Sequence, residues 1–175
     1  MKNNKNVNQL LDQMAENIIS IMAEKNIHNP YMVGVHTAGV WIAQALYQRL
    51  ANKLEIKNEL GELNSSYYRD DFDQRGLNKQ SKPSKLPISL EGRHVILVDD
   101  ILFTGRTTRA AINELFDYGR LASITLAVLV DRGHAGRELP IEAQVVGLVQ
   151  ELPAEQTIKV TNPEDLTLEI LNEDE

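Results

Sequence analysis

The feature that most constrains this chain is a short apolar run that ends in two adjacent carboxylates and precedes a helix start. The run is Val95-Ile96-Leu97-Val98, the acids are Asp99 and Asp100, and Thr104-Gly105-Arg106-Thr107-Thr108 opens a helical pattern. A bounded run of four apolar residues predicts a buried strand of a parallel sheet. Ligands of α/β sheets bind at the carboxyl ends of the strands, so we expect both acids to face a ligand.

The helix start after the acids has the composition of an anion site. Threonine hydroxyls and free backbone N–H groups at a helix N-terminus point at an anion, and glycine lets the main chain approach closely. Carboxylates repel anions, so Asp99 and Asp100 suit a vicinal diol such as ribose O2 and O3, or a metal that bridges them. A sugar phosphate would satisfy both halves of the motif.

Other strands and helices alternate along the chain. The predicted strands are Tyr31–Val35, Leu60–Tyr68, Ser123–Val130 and the short Val145-Val146. Apolar residues fall at helical spacing in two further segments, namely Val7, Leu10, Leu11, Met14, Ile18, Ile21 and Met22, then Val40, Ile42, Ala43, Leu46 and Leu50. This alternation predicts an α/β fold with a central, mostly parallel sheet flanked by helices.

Composition restricts the class of protein. The 175 residues are best interpreted as a single domain, 1–175, with 42% hydrophobic residues. The chain has no cysteine, which excludes disulfides, thiolate metal sites and a cysteine nucleophile. Residues 1–8 lack an apolar signal core, and no segment has the length of a membrane span, so we expect a cytoplasmic protein without membrane contact.

Charge argues against a general affinity for nucleic acid. The net charge is −7, and acidic residues gather in the tail 172–175, which we expect to be solvated. A local basic patch remains compatible with this balance.

A polar stretch at about residues 69–91 has little periodicity and includes Ser81-Lys82-Pro83-Ser84-Lys85. Structureless runs of this length in compact domains are commonly lids over a site or disordered insertions. Composition alone leaves both interpretations open.

The strand, the two acids and Thr-Gly-x-Thr resemble the phosphoribosyl pyrophosphate (PRPP) signature of type I phosphoribosyltransferases. More closely, the chain is similar to the PyrR family of bifunctional pyrimidine operon regulators and uracil phosphoribosyltransferases. Three further stretches carry that resemblance, which runs from about residue 5 to about residue 160: Tyr68-Arg69-Asp70-Asp71-Phe72, Ala127–His134 and Arg137-Glu138-Leu139-Pro140-Ile141.

The resemblance implies a type I phosphoribosyltransferase fold with a small hood and a flexible loop over the reacting centre. It implies the reaction of uracil with PRPP to give UMP and pyrophosphate, with Mg²⁺ held through PRPP and no direct metal ligand on the protein. Implied catalytic residues are Arg69, Asp70, Asp99 and Asp100. Implied PRPP ribose and 5-phosphate contacts are Asp99, Asp100, Ile101, Leu102, Phe103, Thr104, Gly105, Arg106 and Thr107. The implied pyrophosphate loop is His36, Thr37, Ala38 and Gly39, and the implied base contacts are Val130, Asp131, Arg132 and Gly133.

The chain departs from the family pattern at three places. Ala38 stands where the family usually has arginine, Ala135-Gly136 is inserted before Arg137, and Leu148 replaces a cation after Gly147. The first change removes a guanidinium from the pyrophosphate loop. The other two alter a region that in the family borders the uracil pocket and contributes to RNA contact.

The sequence is therefore compatible with three functions. They are a uracil phosphoribosyltransferase that also regulates pyrimidine genes, a sensor of UMP or PRPP that binds leader RNA with little catalysis, and a phosphoribosyltransferase for a purine or orotate. The expected partners are PRPP, uracil, UMP and pyrophosphate, with pyrimidine-operon leader RNA as a further candidate. The resemblance also leads us to expect a homo-oligomer, a dimer or tetramer.

Overall fold

The computed structural model describes residues 6–64, 83–87 and 89–172. Its elements are α1 (Val7–Glu24), β1 (Tyr31–Val35), α2 (Ala38–Leu50), β2 (Gly61–Leu63), β3 (His94–Leu102), α3 (Arg106–Phe116), β4 (Ser123–Asp131), β5 (Val145–Val149), β6 (Gln156–Thr161) and β7 (Thr167–Asn172). No helix in these ranges is both long enough and apolar enough to cross a membrane.

The central sheet has the strand order β2-β1-β3-β4-β5, and every neighbouring pair is parallel. β3 occupies the middle of the sheet, between β1 and β4. The predicted α/β architecture is therefore confirmed, and the carboxyl ends of β1 and β3 lie side by side, where such folds bind ligands.

Both faces of β3 are covered, which explains its uninterrupted apolar run. Ile96 and Val98 belong to the core formed with α1 and α2, whereas Val95 and Leu97 belong to the core formed with α3. All four side chains are essentially fully buried. Successive side chains of a strand point to opposite faces, so a strand covered on both sides needs apolar residues at every position.

Several strands differ in length from their predicted bounds. β3 runs through the two acids to Leu102 instead of ending at Val98, because its pairing with β4 continues from Asp99 opposite Val128 to Leu102 opposite Asp131. β5 is longer than predicted and β2 is shorter, while residues 65–68 of the predicted strand Leu60–Tyr68 lie outside the described residues.

The antiparallel hairpin β6–β7 forms a second, two-stranded sheet. Ile158, Val160 and Leu168 are 3–6% exposed and join the same core as α1 and α2. This hairpin corresponds to the small hood implied by the resemblance, although its strands were not predicted individually. Asn172, the first residue of the predicted acidic tail, ends β7.

The end of the predicted flexible loop belongs to the folded body. Lys85 forms an antiparallel bridge with Glu62 of β2, with backbone hydrogen bonds of 2.7 and 3.0 Å. Leu90 is fully buried in the core on the α3 side. The loop boundary at residue 91 is thus too late, and the remainder of the predicted loop, 69–82 and 88, lies outside the described residues.

Candidate active site

A cleft of about 380 Å³ opens at the carboxyl ends of β1 and β3, between the sheet and the hairpin. It is lined by His36, Thr37, Ala38, Trp41, Asp99, Asp100, Ile101, Thr107, Lys159 and Val160. Residues of the predicted pyrophosphate loop, the acidic pair and the helix start, which are far apart in sequence, therefore share one cavity.

The two carboxylates of the cleft differ in exposure. Asp99 is 4% exposed, and its Oδ1 accepts a hydrogen bond of 2.9 Å from the backbone N–H of Asp100. Asp100 is more accessible. A carboxylate fixed by a backbone donor and an accessible neighbour together form a preorganised acceptor pair for a ligand with two hydroxyl groups.

The segment 36–39, which joins β1 to the first turn of α2, packs tightly against the acidic pair. The His36–Thr37 peptide bond is cis, and the His36 backbone N–H donates to Leu63 O at 2.8 Å. A Cβ at Gly39 would lie 3.1 Å from Asp99 Cα and 3.3 Å from Asp99 Oδ1. Glycine is thus the residue that allows this loop and the acids to form one site. Gly39 itself packs against Val98 and Asp99 and does not line the cleft.

The helix start is held by the segment that follows β4. Gly105 has φ 89° and precedes α3, while the Thr104 carbonyl accepts hydrogen bonds from the backbone N–H groups of Glu138 and Leu139 at 3.0 and 3.1 Å. The Thr104 hydroxyl accepts from the Arg106 backbone N–H at 3.2 Å, and Arg106 Nε lies 2.5 Å from Glu138 Oε2. The turn therefore presents the N-terminus of α3 in a fixed orientation beside the cleft.

Of the nine residues of the predicted PRPP motif, Asp99, Asp100, Ile101 and Thr107 line the cleft, whereas residues 102–106 do not. Leu102 is 1% exposed within the core on the α3 side, so its side chain cannot contact a ligand. Phe103 lines a neighbouring cavity of about 470 Å³ instead. The motif thus contributes residues to both cavities and to the core.

The neighbouring cavity contains one of the predicted base contacts. It is lined by Phe103, Arg132, Ala135, Gly136, Glu151, Leu152, Pro153 and Ala154. The Arg132 guanidinium lies over the Phe103 ring at 3.9 Å from its centre, a cation–π contact. A Cβ on Gly136 would lie only 1.9 Å from a ring carbon of Phe103. The inserted Ala135-Gly136 therefore packs directly against this aromatic ring.

The other predicted base residues are occupied by internal contacts. Val130 is fully buried, and Asp131 Oδ1 accepts from the Gly133 backbone N–H at 2.8 Å and from Arg137 Nη2 at 2.6 Å. Arg137 also donates from Nε to Phe103 O at 2.7 Å and from Nη1 to Ile141 O. Sequence reasoning missed this role of Arg137, which ties the end of β4 to the turn before α3.

Comparison with known proteins agrees with this geometry. A model of the phosphoribosyl transferase domain matches residues 2–161. Bifunctional protein PyrR of Nitrosococcus oceani is 50% identical over 94% of this chain and 91% of its own length, and that of Pseudomonas aeruginosa is 48% identical over 92% and 91%. The chain belongs to the PyrR family.

Solved structures extend the similarity to the fold of purine enzymes. A Trypanosoma cruzi hypoxanthine phosphoribosyl transferase superposes with a TM-score of 0.69 at 17% identity, over 99% of this chain and 91% of that protein. This superposition confirms the type I phosphoribosyltransferase fold, whereas the family model and the PyrR relatives confirm the expected reaction class, a pentosyltransferase of the bifunctional PyrR type.

Part of the PyrR motif set lies outside the described residues. Arg69 and Asp70 are in this group, so their positions relative to the cleft stay a prediction. The residues that border this segment are fixed, because the Asn64 backbone N–H donates to Ser84 Oγ at 2.8 Å and Ser84 Oγ donates to Glu114 Oε1 of α3 at 2.5 Å.

The carboxyl of Glu114 is buried at this junction. Burial raises its pKa above the ordinary value of 4.5, the hydrogen bond from Ser84 opposes that rise, and the charge of Asp117 adds to it. Glu114 Oε2 has no hydrogen-bond partner within the described part of the chain, which favours the protonated acid.

Trp41 and Lys159 of the cleft were not identified from the sequence. Trp41 lies one helical turn after Ala38, so the predicted loop followed by a helix could have indicated it. Lys159 lies on β6 and reaches the cleft only because the hairpin packs beside β3. No local signal in the sequence marks that residue.

Proposed function

We propose that this protein transfers the phosphoribosyl group of PRPP to uracil, forming UMP and releasing pyrophosphate. The observation that carries the proposal is that loop residues 36–38 line the same cleft as Asp99 and Asp100, while Gly39 packs against Asp99. A diol site beside an anion site matches the chemistry of PRPP, whose pyrophosphate leaves from the carbon next to the ribose diol.

Each part of the cleft has a role in binding PRPP. Asp99 and Asp100 accept hydrogen bonds from the ribose O2 and O3 hydroxyls. The backbone N–H groups and threonine hydroxyls of 104–107, at the N-terminus of α3, bind the 5-phosphate. Backbone groups and Thr37 of the loop 36–39 bind the pyrophosphate. These contacts fix the substrate on both sides of C1.

The reaction breaks the bond between ribose C1 and the pyrophosphate oxygen, forms a bond from C1 to N1 of uracil, and releases the N1 proton. Positive charge develops on the ribose ring while negative charge develops on the leaving group. The carboxylates of Asp99 and Asp100 lie on the ribose side, where their charge stabilises the developing cation. Positioning of the two substrates supplies the rest of the rate enhancement. We assign Arg69 and Asp70 to the same reaction on family resemblance.

Mg²⁺ would bind at this site as a complex with PRPP. Within residues 6–64, 83–87 and 89–172, no group of three or more histidine or acidic side chains could hold a metal by itself. The hard oxygen atoms that Mg²⁺ prefers would come from PRPP itself, and Asp99 and Asp100 would hold the ribose diol of that complex. When bound, Mg²⁺ would neutralise part of the pyrophosphate charge.

The base is proposed to lie beside the segment 130–133. The Phe103 ring and the Arg132 guanidinium wall a cavity next to the PRPP cleft, and a flat base can stack on such a surface. Because Asp131 is already paired with Arg137, backbone groups of the segment are the better candidates for hydrogen bonds to uracil.

A panel of bases tests the substrate assignment. The purified protein is mixed with PRPP and Mg²⁺, and uracil, orotate, hypoxanthine and guanine are offered in turn, with the nucleotide product identified by chromatography. We expect UMP to dominate. Turnover with a purine or orotate instead would reassign the base, and no turnover with any of them would favour a sensor.

Regulation of pyrimidine genes is proposed as a secondary role with weak RNA contact. Two of the cations that could contact an RNA are committed to internal contacts: Arg137 to Asp131, and Arg132 to Phe103 and Gln156 O. Arg49 binds Asp12 at 2.7 Å.

A homo-oligomer would place two copies of the remaining cations side by side. Light scattering would measure the mass of such an oligomer.

A further inference from the structure

The cleft proposed to bind PRPP carries little positive charge for a ligand with so many phosphate oxygens. Its lining includes the carboxylates of Asp99 and Asp100, and His36 Nε2 lies 3.0 Å from Glu62 Oε2. Among the lining residues that the structure describes, only Lys159 has a permanent positive charge. The binding of an anionic leaving group in this cleft would therefore depend strongly on the ammonium group of Lys159.

The backbone around Lys159 is held in place by its neighbours. Ile158 and Val160 are 3% and 6% exposed in the core, whereas Lys159 lies between them on the exposed face of β6. Glu169 is its antiparallel partner on β7, yet no salt bridge joins Lys159 to any residue of the described ranges. A lysine on an anchored strand, with its flexible stem uncommitted, can direct its charge to a ligand.

We propose that the Lys159 ammonium binds the pyrophosphate group of PRPP from the hood side of the cleft. This inference rests on the proposed function. Pyrophosphate is a better partner than the 5-phosphate, because the cleft that Lys159 lines includes three residues of the loop, 36–38, but only Thr107 from the N-terminus of α3, which is proposed to bind the 5-phosphate. The hood cation would compensate for Ala38, which leaves the loop without a guanidinium.

Binding measurements on two variants and a control test the proposal. Lys159→Met removes the charge and keeps most of the length, Lys159→Arg keeps the charge, and Lys25→Met alters an exposed lysine that precedes β1 at the opposite end of the sheet. Pyrophosphate, PRPP and UMP are titrated with Mg²⁺ by calorimetry. Trp41, the only tryptophan in the chain, lines the same cleft and gives a second, fluorescence readout.

Lys159→Met should weaken pyrophosphate and PRPP binding by about tenfold or more, the scale of one hydrogen bond between charged groups. UMP carries the 5-phosphate and no pyrophosphate, so its affinity should change by less than about twofold. Lys159→Arg should retain most of the affinity, and Lys25→Met should match the wild type, with all variants unfolding at similar temperatures.

Two results would overturn the inference while leaving the proposed function intact. One is pyrophosphate binding unchanged in Lys159→Met, and the other is equal weakening of UMP and pyrophosphate, which would move Lys159 to the 5-phosphate. In both cases the wild type still converts uracil and PRPP to UMP. Failure of the wild type to bind PRPP at all would instead reject the proposed function together with this inference.

Discussion

Gly39 lies against the backbone of Asp99, so closely that an added Cβ would be 2.9 Å from Val98 O and 3.1 Å from Asp99 Cα. The neighbouring atoms are backbone of a central strand and cannot move aside cheaply. The distance between the predicted pyrophosphate loop and the predicted ribose acids is therefore set by the absence of a side chain at this position.

Gly39→Ala should separate the loop from the acids and lower kcat/KM for PRPP by about tenfold or more, since misplacement of reacting groups by about 1 Å has effects of this size. Steady-state kinetics and thermal unfolding measure both consequences. Gly92→Asn is the matched control, because a Cβ at Gly92 meets no atom within 4 Å and asparagine tolerates its φ of 68°. Wild-type kinetics in Gly39→Ala would show that the contact does not set the site.

Asp99→Asn and Asp100→Asn should each lower kcat/KM for PRPP by about tenfold or more, because the ribose diol loses a charged acceptor. Thermal unfolding should change little, since an asparagine Oδ1 at position 99 can still accept the hydrogen bond from the Asp100 backbone N–H. Asp165→Asn, on the surface, serves as the control. A variant with wild-type kinetics would remove that residue from the ribose site.

Ala38→Arg should tighten pyrophosphate or PRPP binding by about 1 kcal/mol or more, the usual scale of a charge-assisted hydrogen bond. Ala38 is 8% exposed but lines the cleft, so the new side chain must extend into that cavity. Calorimetry measures the affinity, and Ala38→Met controls for bulk without charge. An unchanged or weaker affinity would indicate that the loop has another geometry or that another cation already supplies the contact.

Glu114→Gln should stabilise the protein at neutral pH. Burial raises the Glu114 pKa above 4.5, so the folded state holds this proton more tightly than the unfolded state does. The stabilisation from binding this proton is fully present below the pKa that Glu114 has in the unfolded state. It is lost as pH rises through the pKa that Glu114 has in the folded state. The advantage of glutamine, which keeps the acceptor for Ser84, should therefore fade below about pH 4.5.

Thermal unfolding of Glu114→Gln across pH checks this sign, with the exposed Glu164→Gln as control. If the difference in unfolding temperature between Glu114→Gln and the wild type does not depend on pH, the carboxyl has an ordinary pKa in the folded protein.

Binding to the leader RNA of the protein's own pyrimidine genes should be weak and salt-sensitive at near-physiological ionic strength. The net charge of −7 opposes the RNA phosphates, and the side chain of Arg137 is only 8% exposed and paired with Asp131, so it is poorly placed to neutralise a phosphate. A gel-shift titration with UMP present measures the affinity. Nanomolar binding with strong preference over a scrambled stem-loop would make regulation the main function.

Local sequence patterns predicted the centre of the fold and much of the cleft. The segment 95–107 carries its own strand, acids and helix start, and β1 was predicted at its observed bounds. The prediction ended β3 too early because aspartate is a poor strand residue, whereas parallel pairing with β4 continues through Asp99 and Ile101.

Residues whose role depends on contacts between distant parts of the chain could not be predicted from the sequence. Lys159 enters the cleft from a hairpin whose position depends on burial of Ile158 and Val160 against distant helices. Arg137 was noted from the sequence as part of a PyrR motif, but its pairing with Asp131 is a tertiary contact between the end of β4 and the following loop. The hairpin itself had a period-two apolar pattern that could have been recognised.

The most direct test of the central claim is the stoichiometry of the reaction with uracil, PRPP and Mg²⁺, followed by simultaneous measurement of UMP and pyrophosphate. Transfer at the cleft described above predicts that both products appear at equal rates, that neither appears without uracil, and that Asp100→Asn slows both equally. Pyrophosphate release without UMP, or no release of either product by the wild type, would contradict it.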